Sequence, residues 1–200
     1  MKRILIYGDS NTWGHGAFSG KLPETQTWPV ILQQILGGAS LVIQEGLPGR
    51  IAGDHDIETP YRNGKTHFEA ILRTALPLDY VIIALGANDV KKKYGLTSRQ
   101  IFDDLRWYRG KTAEIAPSYK GVPSTPVMIF LGIPNSRETE YYQPEPRVRE
   151  KVNDYLKRAG EIYVPLEHLE ISDDGVHFTA ADHQYVAQQV FAAIRDHEAY

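Results

Sequence analysis

The 200-residue chain contains no cysteine. That absence removes thiol nucleophiles, disulfide scaffolds and cysteine-ligated zinc or iron–sulfur centres, so any covalent chemistry must use oxygen or nitrogen. Neither charge sign is in excess: 22 Lys and Arg against 25 Asp and Glu leave a formal charge of -3. Such a balance argues against the broad basic footprint used for nucleic acid or an anionic membrane. No run approaches the ~20 apolar residues of a membrane span. Only four apolar-type positions precede the first turn in MKRILIYGDS, too few for a secretory leader. The expectation is a soluble, cytoplasmic protein acting on small neutral or modestly polar molecules, with no nucleic-acid or membrane partner. Internal repeats, low-complexity tracts and linkers are also missing, and 42% hydrophobic residues suffice for the core of one domain over 1–200.

What is present alternates. Five short apolar, β-branched runs cover residues 4–7, 41–43, 80–85, 127–131 and 162–164, with helical periodicity between them. Thr97 and Gln100 form a capping-box pattern ahead of Ile101, Leu105, Tyr108, Thr112 and Ile115, and Pro117 ends that run. Val148, Val152, Tyr155, Leu156 and Ala159 share one face before Gly160, and Thr179 with Asp182 caps a last helix through Ile194. Helices over 28–36 and 66–75 carry weaker signals. Continuous apolar strands alternating with helices predict an α/β fold: a three-layer α/β/α sandwich on a five-stranded parallel, flavodoxin-like sheet. The Pro- and Tyr-rich stretch 134–146 and the segment 46–61 read as ordered loops at the sheet's ligand-binding edge.

In such sheets ligands bind beyond the carboxyl ends of the strands, so the polar residues after each strand are the ones that matter. Serine hydrolysis needs a hydroxyl, a neighbouring base, an acid to orient that base, and donors for an oxyanion. Ser10 after the first strand is the candidate nucleophile, His177 the candidate base and Asp174, three residues earlier, its orienting acid. The backbone N–H groups of Ser10 and Gly49 and the side-chain amide of Asn88 can serve as the oxyanion donors. Asn11, Trp13, Ala87 and Val176 are the candidate substrate contacts.

The blocks GDS (Gly8 to Ser10), EGLPGR (Glu45 to Arg50), LGAND (Leu85 to Asp89) and DGVHF (Asp174 to Phe178), in this order, resemble the signature blocks of the SGNH, or GDSL-type, hydrolase superfamily. The resemblance covers essentially the whole chain. It implies that Ser10 is the nucleophile, that Gly49 and Asn88 build the oxyanion hole with Ser10, and that Asp174 and His177 complete the triad. Gly46 also aligns with the family glycine; Gly49 is preferred because it lies one turn beyond the strand. The longer pieces KRILIYGDSNTWG, RNG, LPLDYVIIALGANDVK and DGVHFT are similar to the bacterial arylesterase and acyltransferase branch. That similarity allows acyl transfer as well as hydrolysis, and a homo-oligomer.

The leading reading is a serine esterase for small, short-acyl carboxylic esters, needing no cofactor and no metal. Two others stand beside it: a flavodoxin-like module cradling a phosphate or nucleotide in the 8–16 loop, and a metal-dependent hydrolase using Asp9, Asp89 and His177. Within the same superfamily, a carbohydrate O-acetylesterase is an alternative, since Trp13, Trp28, Tyr141 and Tyr142 permit sugar stacking. Asp9 and Asp89 read as pins of their own turns. Lys91, Lys92 and Lys93 read as a solvated face. His15, His55, His67, His168, His183 and His197 read as surface or capping residues, and Asp54-His55-Asp56 as no metal site.

Overall fold

The computed structural model describes residues 1–119 and 124–199. Strand β1 (Lys2–Gly8) is followed by a short helix α1 (Ser10–Trp13) and a small hairpin of β2 (His15–Gly16) and β3 (Ser19–Lys21). Then come α2 (Trp28–Leu36), β4 (Ser40–Gly46), α3 (Gly64–Ala75) and β5 (Tyr80–Ala84). The chain continues through α4 (Ser98–Ile115), β6 (Val127–Leu131), α5 (Pro146–Arg158), β7 (Ile162–Val164) and α6 (Ala180–Glu198). Five strands form one parallel sheet in the order β4-β1-β5-β6-β7. The fold class is the expected three-layer sandwich.

The strands are apolar on both faces because each face has its own core. Leu5 and Tyr7 of β1, with Val81 and Ile83 of β5, pack on Phe68 and Leu72 of α3 and on α4 and α5. Their alternate neighbours Ile4, Ile6 and Ile82 face Trp28 and Leu32 of α2 and Val186 and Val190 of α6. With period-2 alternation and two covered faces, each fully buried Ile or Leu contributes roughly 1.5–3 kcal/mol. Two capping boxes start helices where the sequence predicts them: Thr97 with Gln100 at α4 and Thr179 with Asp182 at α6.

Register then decides where chemistry can occur. Gly8 lies level with Gly46 of β4 on one side and Ala84 of β5 on the other, so three strands end together. The chain crosses from β1 to β4 in one direction, and strand order runs the other way from β5 onward, which makes this the switch-point crevice of a doubly wound sheet.

Several boundaries differ from the sequence reading. β4 runs to Gly46 rather than ending at Ile43, because an outer strand with one open side tolerates Gln44 and Glu45. The predicted turn at Ser10 is a helical turn capped by Asp9, whose carboxylate accepts from the Asn11 N–H at 2.9 Å. The β2–β3 hairpin is absent from the sequence reading, being too short and polar to show a period. Trp28 is fully buried between α2 and the sheet, so it is a core residue rather than a stacking platform for sugar. Among the described residues no helix is long and apolar enough to cross a membrane.

Candidate active site

Ser10 is the first residue of α1, immediately beyond β1, where its N–H has no partner within the helix. Across from it, the loop 172–178 ahead of α6 carries Asp174 and His177. His177 Nε2 lies 3.0 Å from Ser10 Oγ, and His177 Nδ1 lies 2.6 Å from Asp174 Oδ2. A carboxylate only accepts, so Nδ1 carries the proton and the Nε2 lone pair faces the serine hydroxyl.

Asp174 is held ionised. Burial opposes its charge, but Oδ1 accepts from the Ser172 hydroxyl and the Val176 and His177 N–H groups, while Oδ2 accepts from the His177 ring and the Phe18 N–H. Those bonds hold its carboxyl well below the usual range. His177 is shifted down from its ordinary value of 6.5, first by burial and against the pull of Asp174; positive charge on His15 and Lys91 adds to the lowering. Such a ring is neutral, and a base, at neutral pH.

The loop is rigid for identifiable reasons. Asn11 donates its amide to Val176 O at 3.1 Å and accepts from Phe178 N–H at 3.0 Å, clasping the chain on both sides of His177. From the 134–146 loop, Arg137 donates to Ser172 O and Thr139 Oγ1 to Asp174 O. Asp182 accepts from Thr179 and from the Glu170 and Ile171 N–H groups, fixing the far end.

Gly49 and Asn88 complete the constellation. Both line the cleft of about 410 Å³ that also holds Ser10, His177 and Val176. Asn88 spends one amide hydrogen on Arg50 O at 3.0 Å, which fixes the plane of the amide. Gly49 adopts a φ of +80°, a conformation that favours glycine, and Arg50 braces the turn by donating to Gly8 O and Glu45 O while its guanidinium covers the Tyr7 ring. The Gly46 alternative falls elsewhere: it packs against the backbone of Thr12 and Trp13, leaving α1 no room for a side chain there.

The four candidate substrate contacts divide. Val176 lines the cleft. Asn11 is a clasp rather than a cleft residue, and Ala87 is buried in the core with its carbonyl accepting from Tyr142 Oη at 2.6 Å. Trp13 lies outside the cleft lining, beside the His15 ring and under Lys21. Asp9 pins its turn as expected, whereas Asp89 reaches across to the Ala52 and Gly53 N–H groups and so anchors the 46–61 loop, not its own turn. Burial raises both acids, Asp9 to about 7 and Asp89 to about 6.

Three other readings need correction. Lys91 is not part of a solvated face: it is half-buried, lines the cleft and stands over the Tyr142 ring, because the chain beyond β5 is bridged at Lys91 to Pro144 of the facing loop. His15 is not a surface residue either, since its ring stacks on that of His177 with centroids 4.2 Å apart. Only the hairpin, invisible in the sequence, brings the two rings together. His183 is fully buried and accepts from the Trp28 N–H. In the Asp54-His55-Asp56 run, His55 lies between Asp54 and Asp104, whereas Asp56 turns away to accept from Thr59 and Tyr94, so the three side chains do not converge on one point.

The chain matches the family model of the GDSL-like lipase/acylhydrolases over residues 6–185. Among solved structures it is similar to the native aryl esterase of M. smegmatis, at 27% identity over 98% of this chain and 99% of that one, with a TM-score of 0.84. It is similar also to a carbohydrate acetylesterase family member from Sinorhizobium meliloti, at 25% identity over 98% of each chain and a TM-score of 0.84. Est24, a carbohydrate acetylesterase from Sinorhizobium meliloti, shares the fold at 22% identity over 98% of this chain and 99% of its own, with a TM-score of 0.86. A search of the curated proteins gives no match.

Proposed function

Since the chain belongs to the GDSL-like lipase/acylhydrolase family and is a carboxylic ester hydrolase, we propose that it works as a serine esterase through Ser10, His177 and Asp174. The observation that carries this reading is the unbroken relay from Asp174 to His177 to Ser10, at 2.6 and 3.0 Å. Ser10 Oγ attacks the ester carbonyl as its proton passes to His177 Nε2. The carbonyl oxygen, now an anion, takes hydrogen bonds from the Ser10 and Gly49 N–H groups and the Asn88 amide. Collapse expels the alcohol, which leaves with the proton from His177, and an acyl group remains on Ser10. Water then enters along the same path, with His177 again the base; a competing alcohol in its place gives acyl transfer.

The cleft of about 410 Å³ has room for a small ester. Phe18 and Tyr141, both exposed, meet edge to face at its mouth with centroids 6.0 Å apart, a surface suited to an aryl ring or a sugar face. A fluorophosphonate tests the mechanism. It should label Ser10 in the wild type and leave Ser10→Ala unlabelled, with kcat on 4-nitrophenyl acetate lowered by about 10⁴- to 10⁶-fold. Hydrolysis by Ser10→Ala within tenfold of wild type refutes the reading.

A further inference from the structure

Two cations line the cleft, each over an aromatic ring, Arg62 over Tyr61 and Lys91 over Tyr142, and neither has an anionic partner among the described residues. Arg62 and Lys91 line it together with Ser10, Asn88 and His177. Neither makes an ion pair or side-chain hydrogen bond among the described residues, and Arg62 Nε is buried without a partner. The one carboxylate in the lining, Asp174, has both oxygens already engaged. A chain of net charge -3 has thus kept its reactive cleft positive.

Position makes the excess charge relevant to the reaction. Arg62 lies against the Gly49 backbone: a Cβ built on Gly49 would meet Arg62 Nε at 2.7 Å. Lys91 stands three residues beyond Asn88, and its backbone is fixed by a bridge to Pro144 in the facing loop. Its neighbours turn outward, with Lys92 on Glu138 and Lys93 over Tyr94. Both charges therefore flank the oxyanion donors, partly desolvated, where a point charge acts more strongly than in water.

Resting on the serine-esterase reading, we propose that the cleft selects esters bearing a second, permanently anionic group, a carboxylate or phosphate, within reach of Arg62 and Lys91. The anion would supply the acceptors that both side chains lack. Burial lowers Lys91 to about 8, chiefly by desolvation with Lys93 adding to it, so it remains mostly charged at neutral pH and gains from a bound anion.

The test uses matched ester pairs on the intact protein. For charge on the acyl half, mono-4-nitrophenyl succinate is compared with 4-nitrophenyl pentanoate; for charge on the alcohol half, 4-acetoxybenzoate with its methyl ester. The wild type should favour the anionic member of one pair, and the pair identifies which half carries the charge. Lys91→Met and Arg62→Gln should each lower the anionic-to-neutral ratio of kcat/KM by about tenfold to a hundredfold, as expected for a lost charge-assisted hydrogen bond, and Lys91→Arg should restore most of it. Because the readout is a ratio within one preparation, partial misfolding of a variant does not alter it. No anionic preference in either pair, or a ratio that the variants leave unchanged, overturns the inference while Ser10 labelling by fluorophosphonate still upholds the esterase reading. Loss of labelling in the wild type would overturn the reading itself.

Discussion

Replacing Asp174 by Asn changes one atom and should invert the hydrogen-bond logic of the site. In the native protein Oδ1 accepts from three donors, Ser172 Oγ at 2.8 Å, Val176 N at 3.1 Å and His177 N at 3.0 Å, while Oδ2 accepts from His177 Nδ1 and, at 3.3 Å, from the Phe18 N–H. An asparagine keeps its carbonyl oxygen toward the three donors, since the reverse orientation sets an NH₂ against all of them. The NH₂ then faces Nδ1, which must accept, so the proton moves to Nε2 and points at Ser10 Oγ. A base becomes a donor, with geometry intact. In serine hydrolases built this way the loss is about 10⁴-fold in kcat, or about 5.5 kcal/mol of transition-state stabilisation. The assay is kcat on 4-nitrophenyl acetate together with the rate of fluorophosphonate labelling, which reports Ser10 nucleophilicity before any turnover. Stability supplies an internal control. Asp174 has a carboxyl lowered in the folded state, so its contribution is present above the unfolded value of about 3.9 and is lost as pH falls below it. The gap in unfolding free energy between wild type and Asp174→Asn should therefore be open at pH 7 and narrow as the pH is taken toward 3. A folded variant whose kcat falls less than tenfold refutes the relay.

The same geometry carries other consequences. Asn88→Ala removes one oxyanion donor and should lower kcat by about 10²- to 10³-fold with little change in KM; an effect confined to KM would place Asn88 in ground-state binding instead. Because burial lowers His177, kcat/KM should rise with pH along an acid limb lying below 6.5. His15→Phe keeps a ring stacked on His177 but removes a charge that opposes its protonation, so that limb should move to higher pH at low ionic strength; a limb that stays put or moves down refutes the coupling. Asp9 is raised to about 7 in the folded state, so wild-type stability should decline as pH rises from about 4 toward 7, and Asp9→Asn, which keeps an acceptor for the Asn11 N–H, should flatten that decline in urea unfolding at pH 5 and pH 8.

Strands β1, β5 and β6 and helices α4, α5 and α6 were legible because each carries a signal that depends on its own residues alone: continuous apolar runs for the strands, capping boxes for α4 and α6 and a one-faced apolar spacing for α5. The structure brings Ser10, Gly49, Asn88, Asp174 and His177 to one cleft: the first three follow β1, β4 and β5, whose ends lie level, and the last two arrive on the loop ahead of α6. The features that stayed hidden depend on partners distant in sequence. His15 gains its meaning from a hairpin of two- and three-residue strands, and Lys91 from a loop that folds over it at Pro144. Trp28 was misread because exposure, not residue type, separates a core indole from a binding platform.

The relay distances are set by a residue that takes no part in the chemistry. Ser10 and His177 are 167 positions apart, one fixed by β1 and the other by the approach to α6. No strand pairing links the two segments. Asn11 does, through a donor to Val176 O and an acceptor for Phe178 N–H, so that the backbone on both sides of His177 is referenced to the residue next to Ser10. Asp9 in turn holds Asn11 by its N–H, and the Thr179–Asp182 cap holds the far end of the His177 loop. The GDS block therefore does more than present a hydroxyl: together with the asparagine after it, it measures the distance to His177. Proximity catalysis tolerates errors of only a fraction of an ångström, and a bidentate clasp adjacent to the nucleophile supplies that tolerance locally instead of relying on the accumulated packing of the intervening chain.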